Sequence, residues 1–293
     1  MRFTSLTLSV LACLFSIKGY TEDREETPLP IGNFSLPQSQ QPASIYSFGS
    51  NILEPGQAQI NFTPNVFKST GERYIGGGST LLYGTSKTTS LLFSVPATLS
   101  FTNGQVTHTG FGDLGLQGEY EFYHRASSKD KEHLAALAGF TVPSGDTHFT
   151  AGKFSYFFGG TYSHAWYNWL WFFAPGVLKF TGPPHKRLAT RYYYEFGVGR
   201  NLGSQSGRYI FTGFLELNGQ YDDQNPTDKP VTLESGGRVL SKGNLLFFTP
   251  SLWYSTPHWA LKLGLSWPVT QDWLGTRNAV NYYAASSIIY TMN

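Results

Sequence analysis

Cysteine is almost missing from this chain of 293 residues: Cys13 is the only one, and it lies inside the first apolar stretch. Without that stretch the chain has no thiol, no disulfide and no cysteine-based metal site. Charge is scarce too, at 14% of residues, with a formal net charge of +2 and no dense Lys/Arg patch. Nucleic-acid binding draws its affinity from clustered phosphate contacts, so no nucleic-acid partner is expected. Past the N-terminus there is no run of about 18 apolar residues, and the mean hydropathy is -0.23. Spanning helices are excluded, and any membrane crossing has to use strands. The seven histidines are scattered, with no H-x-x-x-H pair, so neither a metal nor a cofactor is expected. A G-x-S-x-G elbow is missing, and the glycines of residues 75–79 have no lysine and no following helix to make a phosphate cradle. They read as a flexible loop.

What the chain does have is aromatic residues, 16% of the total, together with 32 glycines and a two-residue rhythm. Along residues 111–123, Leu114, Leu116, Tyr120 and Phe122 share one parity, and Asp113, Gln117, Glu119 and Glu121 the other. Such alternation gives a strand with one apolar and one polar face. Twelve segments of this kind follow Pro55: 57–67, 80–85, 91–101, 111–123, 133–142, 153–164, 169–180, 189–200, 208–221, 245–254, 259–269 and 280–291. A soluble sandwich also has two-faced strands. Here, however, tryptophans and tyrosines gather at segment ends, as at Trp166, Trp169 and Trp171 or Tyr254, Trp259 and Trp267. Interfacial girdles have this distribution. The fold expected is all-β, a closed antiparallel transmembrane β-barrel of about twelve strands, because unpaired edge groups would each cost several kcal/mol in hydrocarbon.

Three regions are expected: a signal peptide at 1–19, a polar Pro/Gln-rich leader at 20–55, and the barrel at 56–293. Arg2, the apolar residues 6–17 and the polar TEDREE that follows carry the export signal. VLAC around Cys13 faintly resembles a lipoprotein processing site, but the apolar stretch before it is short and runs on beyond it. The leader lacks regular hydrophobic spacing and is read as periplasmic. A plug folded into the barrel, anchored by Ile45, Tyr46 and Phe48, is the alternative. Export through the Sec pathway to the outer membrane of a Gram-negative bacterium follows. The expected partners are outer-membrane lipids and lipopolysaccharide, the barrel assembly machinery, and a small-molecule solute. Residues 222–243, 69–79 and 271–278 read as outside loops, and 125–132 is longer than a periplasmic turn should be.

Several pieces, namely SFGSNILEPGQ, SLLFSVPATLSF, GFGDLGLQGEYEF, AGFTVPSGDTHFTAG and FFTPSLWYS, span residues 47 to 255. In them the chain resembles the outer-membrane transporter barrels named for an association with the meta-pathway of phenol degradation. The resemblance implies a closed outer-membrane barrel with a transport role, and it supplies no substrate. One departure is the C-terminus, YTMN, where barrels of this kind commonly end on an aromatic residue.

No catalytic residue is expected. Ser144, Asp146 and His148 crowd one loop, but a triad is a matter of geometry, and a polar hairpin turn explains them. The candidate function lies in the lumen, lined by Glu119, Glu121, Tyr123, Lys153, Arg191, Tyr193, Glu195, Arg208, Phe214, Glu216 and Lys262 on the polar parity. Mixed charge can orient a polar solute in a pore, or pair off into a closed wall. The leading reading is a passive channel for a small solute, aromatic or hydrophobic. A structural barrel acting through its outer loops is the second, and a lipid-acting enzyme the third. Arginine at Leu116 or Leu263 should impair assembly, and arginine at Gln117 or Gly264 should be tolerated better.

Overall fold

Strand residues alternating between two environments build, in the computed structural model, a sheet that closes on itself. It describes residues 27–46, 52–181, 190–223, 243–273 and 279–292. The strands among these are β1 (Ala58–Phe62), β2 (Asn65–Ser69), β3 (Glu72–Ser86), β4 (Thr89–Asn103), β5 (Val106–Phe111), β6 (Leu114–Ala126) and β7 (Asp130–Val142). They continue as β8 (Ser155–Trp166), β9 (Trp169–Phe180), β10 (Thr190–Gln205), β11 (Tyr209–Asp223), β12 (Gly243–Ser255), β13 (Trp259–Trp273) and β14 (Val280–Met292). All pairings are antiparallel, and β14 pairs with both β1 and β2, which closes the barrel. Strands β1 and β2 follow one another between the same two neighbours, β14 and β3, and make one interrupted strand. Strands β5 and β6 do the same beside β4. The wall therefore has twelve strands.

The first interruption has a sequence cause. Pro64 has no N–H to give to a ladder. Its carbonyl is taken instead by the backbone N–H of Ser286 at 2.9 Å and by the Ser286 hydroxyl at 3.4 Å. That contact explains a serine on the apolar parity of β14. The triple glycine, expected as a loop, lies within β3. A side chain at Gly76 would strike Tyr74 and the Ala97 carbonyl, and one at Gly77 would strike the Thr63 carbonyl. Glycine here permits close backbone approach. The connection at 125–132, expected to be long, shrinks because β6 and β7 extend into it. Ser127 closes the remaining turn, its N–H donating to the Asp130 carbonyl and its hydroxyl to the Asp130 carboxylate, both at 2.9 Å.

One end of the barrel is made of tight turns, 87–88, 127–129, 167–168, 206–208 and 256–258; the other carries two tight turns, 70–71 and 104–105, and, among the described residues, the longer connection 143–154. The outer face is apolar: Leu81, Phe93, Leu116, Phe140, Phe158, Phe196, Leu215, Leu263 and Ile288 are all exposed. The inner face buries Glu119, Thr161, Thr212, Glu216, Thr249 and Ser266. Rings pair across strands near both ends, Trp259 with Tyr290 at 4.6 Å and Tyr209 with Tyr254 at 6.1 Å at the turn end, Tyr192 with Tyr221 at 6.1 Å at the loop end. Among the described residues no helix is long and apolar enough to cross a membrane.

Residues 27–46 correct the expectation of a leader outside the barrel. They cross the turn end and then enter the lumen. Two short 3-10 turns, Gly32–Phe34 and Gln38–Gln40, are their only regular structure. The Asn33 amide donates to the carbonyls of Trp166 and Trp169 at 3.2 and 3.1 Å, and Gly207 N–H donates to the Ser35 carbonyl at 2.8 Å. Gln40 is fully buried, donating to the Thr291 hydroxyl while its carbonyl accepts from Ser255 at 2.8 Å. The chain returns to the turn end at Leu53, whose N–H donates to the Ser90 hydroxyl at 2.9 Å. A polar, unpatterned segment cannot build a core of its own, but it can satisfy a polar inner wall. The expected signal peptide, Phe48 and residues 224–242 lie outside the described residues.

Candidate functional site: the lumen and its occupant

At the turn end the inner wall is apolar. Leu170, Phe172, Phe214, Trp253, Ala260 and Ile289 form one buried cluster, and Ala43 of the inner segment packs against it. A cavity of about 70 Å³ remains between this segment and β7–β9, bordered by Gln41, Lys131, His133 and Phe172. Above the cluster the wall turns polar. Ile45 N–H donates to Glu216 at 3.1 Å, and the Ser251 hydroxyl donates to the same carboxylate oxygen at 2.5 Å. Lys262 donates to the Ser44 carbonyl at 3.0 Å and lies 4.6 Å from the Trp253 ring centre, a cation–π contact. A cation and a carboxylate of the wall thus clasp consecutive residues of the inner segment. Held by these hydrogen bonds and the ring contact, the two groups tolerate burial that they would not tolerate alone.

Higher still, Tyr46 shares a 3.0 Å hydrogen bond with Ser266 and packs on Tyr283 at 5.3 Å, and Phe247 lies 6.4 Å from that ring. Burial, reinforced by Tyr283, pushes the Tyr46 phenol well above its ordinary range, so it stays neutral. On the opposite wall Phe157 meets Tyr193 edge-on at 6.3 Å. Near the loop end Arg191 grips Asp222 with two hydrogen bonds, 2.7 and 3.2 Å. Such a fork holds two strands in register.

Eight of the eleven residues named from the sequence stand on the inner face: Glu119, Glu121, Arg191, Tyr193, Glu195, Phe214, Glu216 and Lys262. The structure brings Ile45 and Ser44 between Glu216 and Lys262, and it sets Glu121 beside the imidazoles of His124 and His133 at 3.2 and 3.6 Å. Three residues are placed elsewhere. A bulge between Glu121 and Tyr123 absorbs Phe122 and turns Tyr123 outward, opposite Leu134. Arg208 is an exposed turn residue before β11, and Lys153 lies in the β7–β8 connection ahead of Ser155. In the loop with Ser144, Asp146 and His148 each side chain has its own, separate partner. Ser144 Oγ accepts from Leu114 N–H at 3.0 Å, Asp146 accepts from Phe111 N–H at 2.7 Å, and His148 stacks on His108 at 4.1 Å.

Sequence reasoning missed Asp222 and Trp253, and it held the inner segment only as an alternative, with Ile45 and Tyr46 as anchors. Asp222 continues the polar parity of Phe214 and Glu216 and was legible on that ground. Trp253 sits on the polar parity with an apolar side chain, a mismatch that marks a contact inside. Gln40 and Ser44 carry no periodic signal.

No family model matches the chain, and no curated protein matches it. Among solved structures, an outer membrane channel from Pseudomonas putida F1 superposes with a TM-score of 0.61 at 11% identity, over 86% of this chain and 100% of that one. The likeness is one of fold, a closed barrel. The NanC porin covers 80% of this chain and 100% of its own at a TM-score of 0.45 and 9% identity. The KdgM porin covers 80% and 99% at 0.43 and 10%.

Proposed function

We propose that this protein is an outer-membrane channel of a Gram-negative bacterium, admitting a small aromatic or otherwise poorly polar solute by diffusion. The turn end faces the periplasm. One observation carries the reading: the lumen is occupied by a chain segment that pairs with no strand, so the space it fills can be vacated without opening the wall. A barrel meant only as a rigid scaffold could fill its interior with wall side chains. The solute class is supported by the rings that face the upper lumen, Tyr46, Phe157, Tyr193, Phe247 and Tyr283. The resemblance to barrels associated with phenol degradation is consistent with it. Outer-membrane lipids, lipopolysaccharide and the assembly machinery are the partners such a barrel meets, and Sec export is its route.

Planar-bilayer conductance and liposome swelling test the reading, on the full chain and on a variant lacking residues 27–46. The full chain should pass ions in small steps, and the deletion should raise conductance severalfold and admit phenol-sized solutes. Absence of conductance and of flux from both proteins, each folded by the criterion of heat-modifiable gel migration, would remove the channel. The second reading, a closed barrel, is favoured by the buried clasp at Glu216 and Lys262, and it predicts that outcome.

A further inference from the structure

The outer wall at the turn end contains a row of side chains foreign to an apolar surface. Cross-strand pairing sets Arg125 of β6 opposite Glu132 of β7, Glu132 opposite His164 of β8, and His164 opposite Trp171 of β9. Partners directly opposite in an antiparallel sheet share a face. That face is the outer one, since Trp166, Trp169 and Phe173 beside the row and Ala138 and Phe140 farther along β7 are all exposed. The row lies inside an aromatic ring: Trp166 packs on His164 at 4.2 Å, and Trp171 packs on Tyr162 at 4.8 Å.

Glu132 is the centre of the row, and its contacts are all long. Tyr123 and Tyr162 hydroxyls donate at 3.3 and 3.4 Å, Arg125 stands at 3.5 Å and His164 Nδ1 at 3.7 Å. Good hydrogen bonds to a carboxylate fall at about 2.5–3.2 Å, and the group has roughly four lone-pair sites. Its capacity is therefore unfilled, although its side chain is only 17% exposed. His164 Nε2 is buried with no hydrogen-bond partner. Arg125 projects outward, its side chain 54% exposed. One row nearer the turn, Asp130 pairs with Trp166 and adds a second negative charge.

We propose that this row is a binding site for a zwitterionic phospholipid headgroup bearing a primary ammonium, of the ethanolamine type. The ammonium donates to Glu132 among the faces of Trp166 and Trp171, the phosphate meets Arg125, and the acyl chains lie along Leu134 and Phe173. Tryptophan faces attract cations, and an arginine at the membrane interface suits a phosphate. A headgroup without an ammonium leaves Glu132 unsatisfied, which selects against an anionic lipid. A quaternary ammonium has no N–H to give to Glu132, which selects against choline. The inference rests on the membrane location proposed above but not on conduction.

Native mass spectrometry of the full chain, released from detergent with added phosphatidylethanolamine, phosphatidylcholine or phosphatidylglycerol, tests it. The ethanolamine lipid should remain bound at about tenfold lower lipid concentration than the other two. Glu132→Gln should abolish that preference, Arg125→Met should weaken retention of all three, and Tyr290→Phe, in the girdle away from the row, should change nothing. Equal retention of the three lipids would overturn the site, as would an undiminished preference in Glu132→Gln that still migrates heat-modifiably. If Glu132→Gln does not fold, Arg125→Met decides, and unchanged retention by it overturns the site. Conductance measured on the same preparations keeps the two proposals apart, since loss of flux leaves the lipid preference standing and the reverse.

Discussion

An arginine placed along the outer side of β11 should cost more the nearer it stands to the middle of the barrel wall. Tyr209 and Tyr221 mark the two girdles on this strand, each packed against a neighbouring ring at 6.1 Å. At a rise of about 3.3 Å per residue and a tilt of about 40°, they stand roughly 30 Å apart along the barrel axis, close to the thickness of hydrocarbon. Leu215 is midway between them and 57% exposed. Arginine there would sit at the midplane, where the cost is about 2–4 kcal/mol, against about 0–1 kcal/mol at the interface. Leu215→Arg should therefore shift the folding equilibrium roughly 30- to 700-fold, and Tyr221→Arg by no more than about fivefold. Leu215→Met should be nearly silent, which separates charge from shape. Reversible urea titration of the barrel folded into phospholipid vesicles, followed by tryptophan fluorescence and gel migration, measures all three. Equal costs at Leu215 and Tyr221 would refute the assignment of the outer face.

Three more outcomes follow from single contacts. Any side chain at Gly219 would fall on the Tyr194 ring, whose hydroxyl donates to Asn244 at 2.6 Å; Gly219→Ala should cost about 1–3 kcal/mol in the same titration, and most of that cost should vanish when Tyr194→Ala is added. Asp113 accepts from the backbone N–H groups of Ser144, Gly145 and Ala151 at 3.1, 3.1 and 2.9 Å; Asp113→Ala should free that connection, and trypsin should cut after Lys153 several times faster than in the native barrel. Asp222 is 1% exposed and is held by Arg191; Arg191→Met should lower stability by about 3 kcal/mol, because it strands a buried charge, whereas pairing it with Asp222→Leu should recover much of the loss, read by urea titration.

The outer half of this barrel was legible because a wall with one apolar face leaves an alternating record: Leu116, Phe140, Leu215 and Leu263 all stand where parity put them. Parity fails at irregularities. The bulge at Phe122 reversed Tyr123, and boundary slips of one or two residues carried Arg208 and Lys153 onto strands they only adjoin. The triple glycine reads as a loop only if glycine is taken for flexibility rather than for close approach. The inner segment was legible only as an alternative, through Ile45 and Tyr46, since its other partners are scattered single groups with no common spacing. It also changes one expectation about arginine: Gly264 faces inward, yet an added side chain would meet Ile45 at 2.9 Å, so Gly264→Arg is not a tolerated control. Gln117, which also faces inward but from β6 across the lumen, remains the expected tolerated control.

Thr291, one turn of side chain from the end of the last strand, is where both extremities of the molecule are tied. Its hydroxyl receives the amides of Gln40, from the inner segment, and of Gln59, from the first strand, the latter at 2.9 Å. The seam of the cylinder and the seat of its contents thus share one atom. A polypeptide that zipped shut with its early residues left outside would leave that oxygen, and the buried amide meant for it, short of a companion. Closure of the wall and occupancy of its interior are thereby coupled through a single hydroxyl.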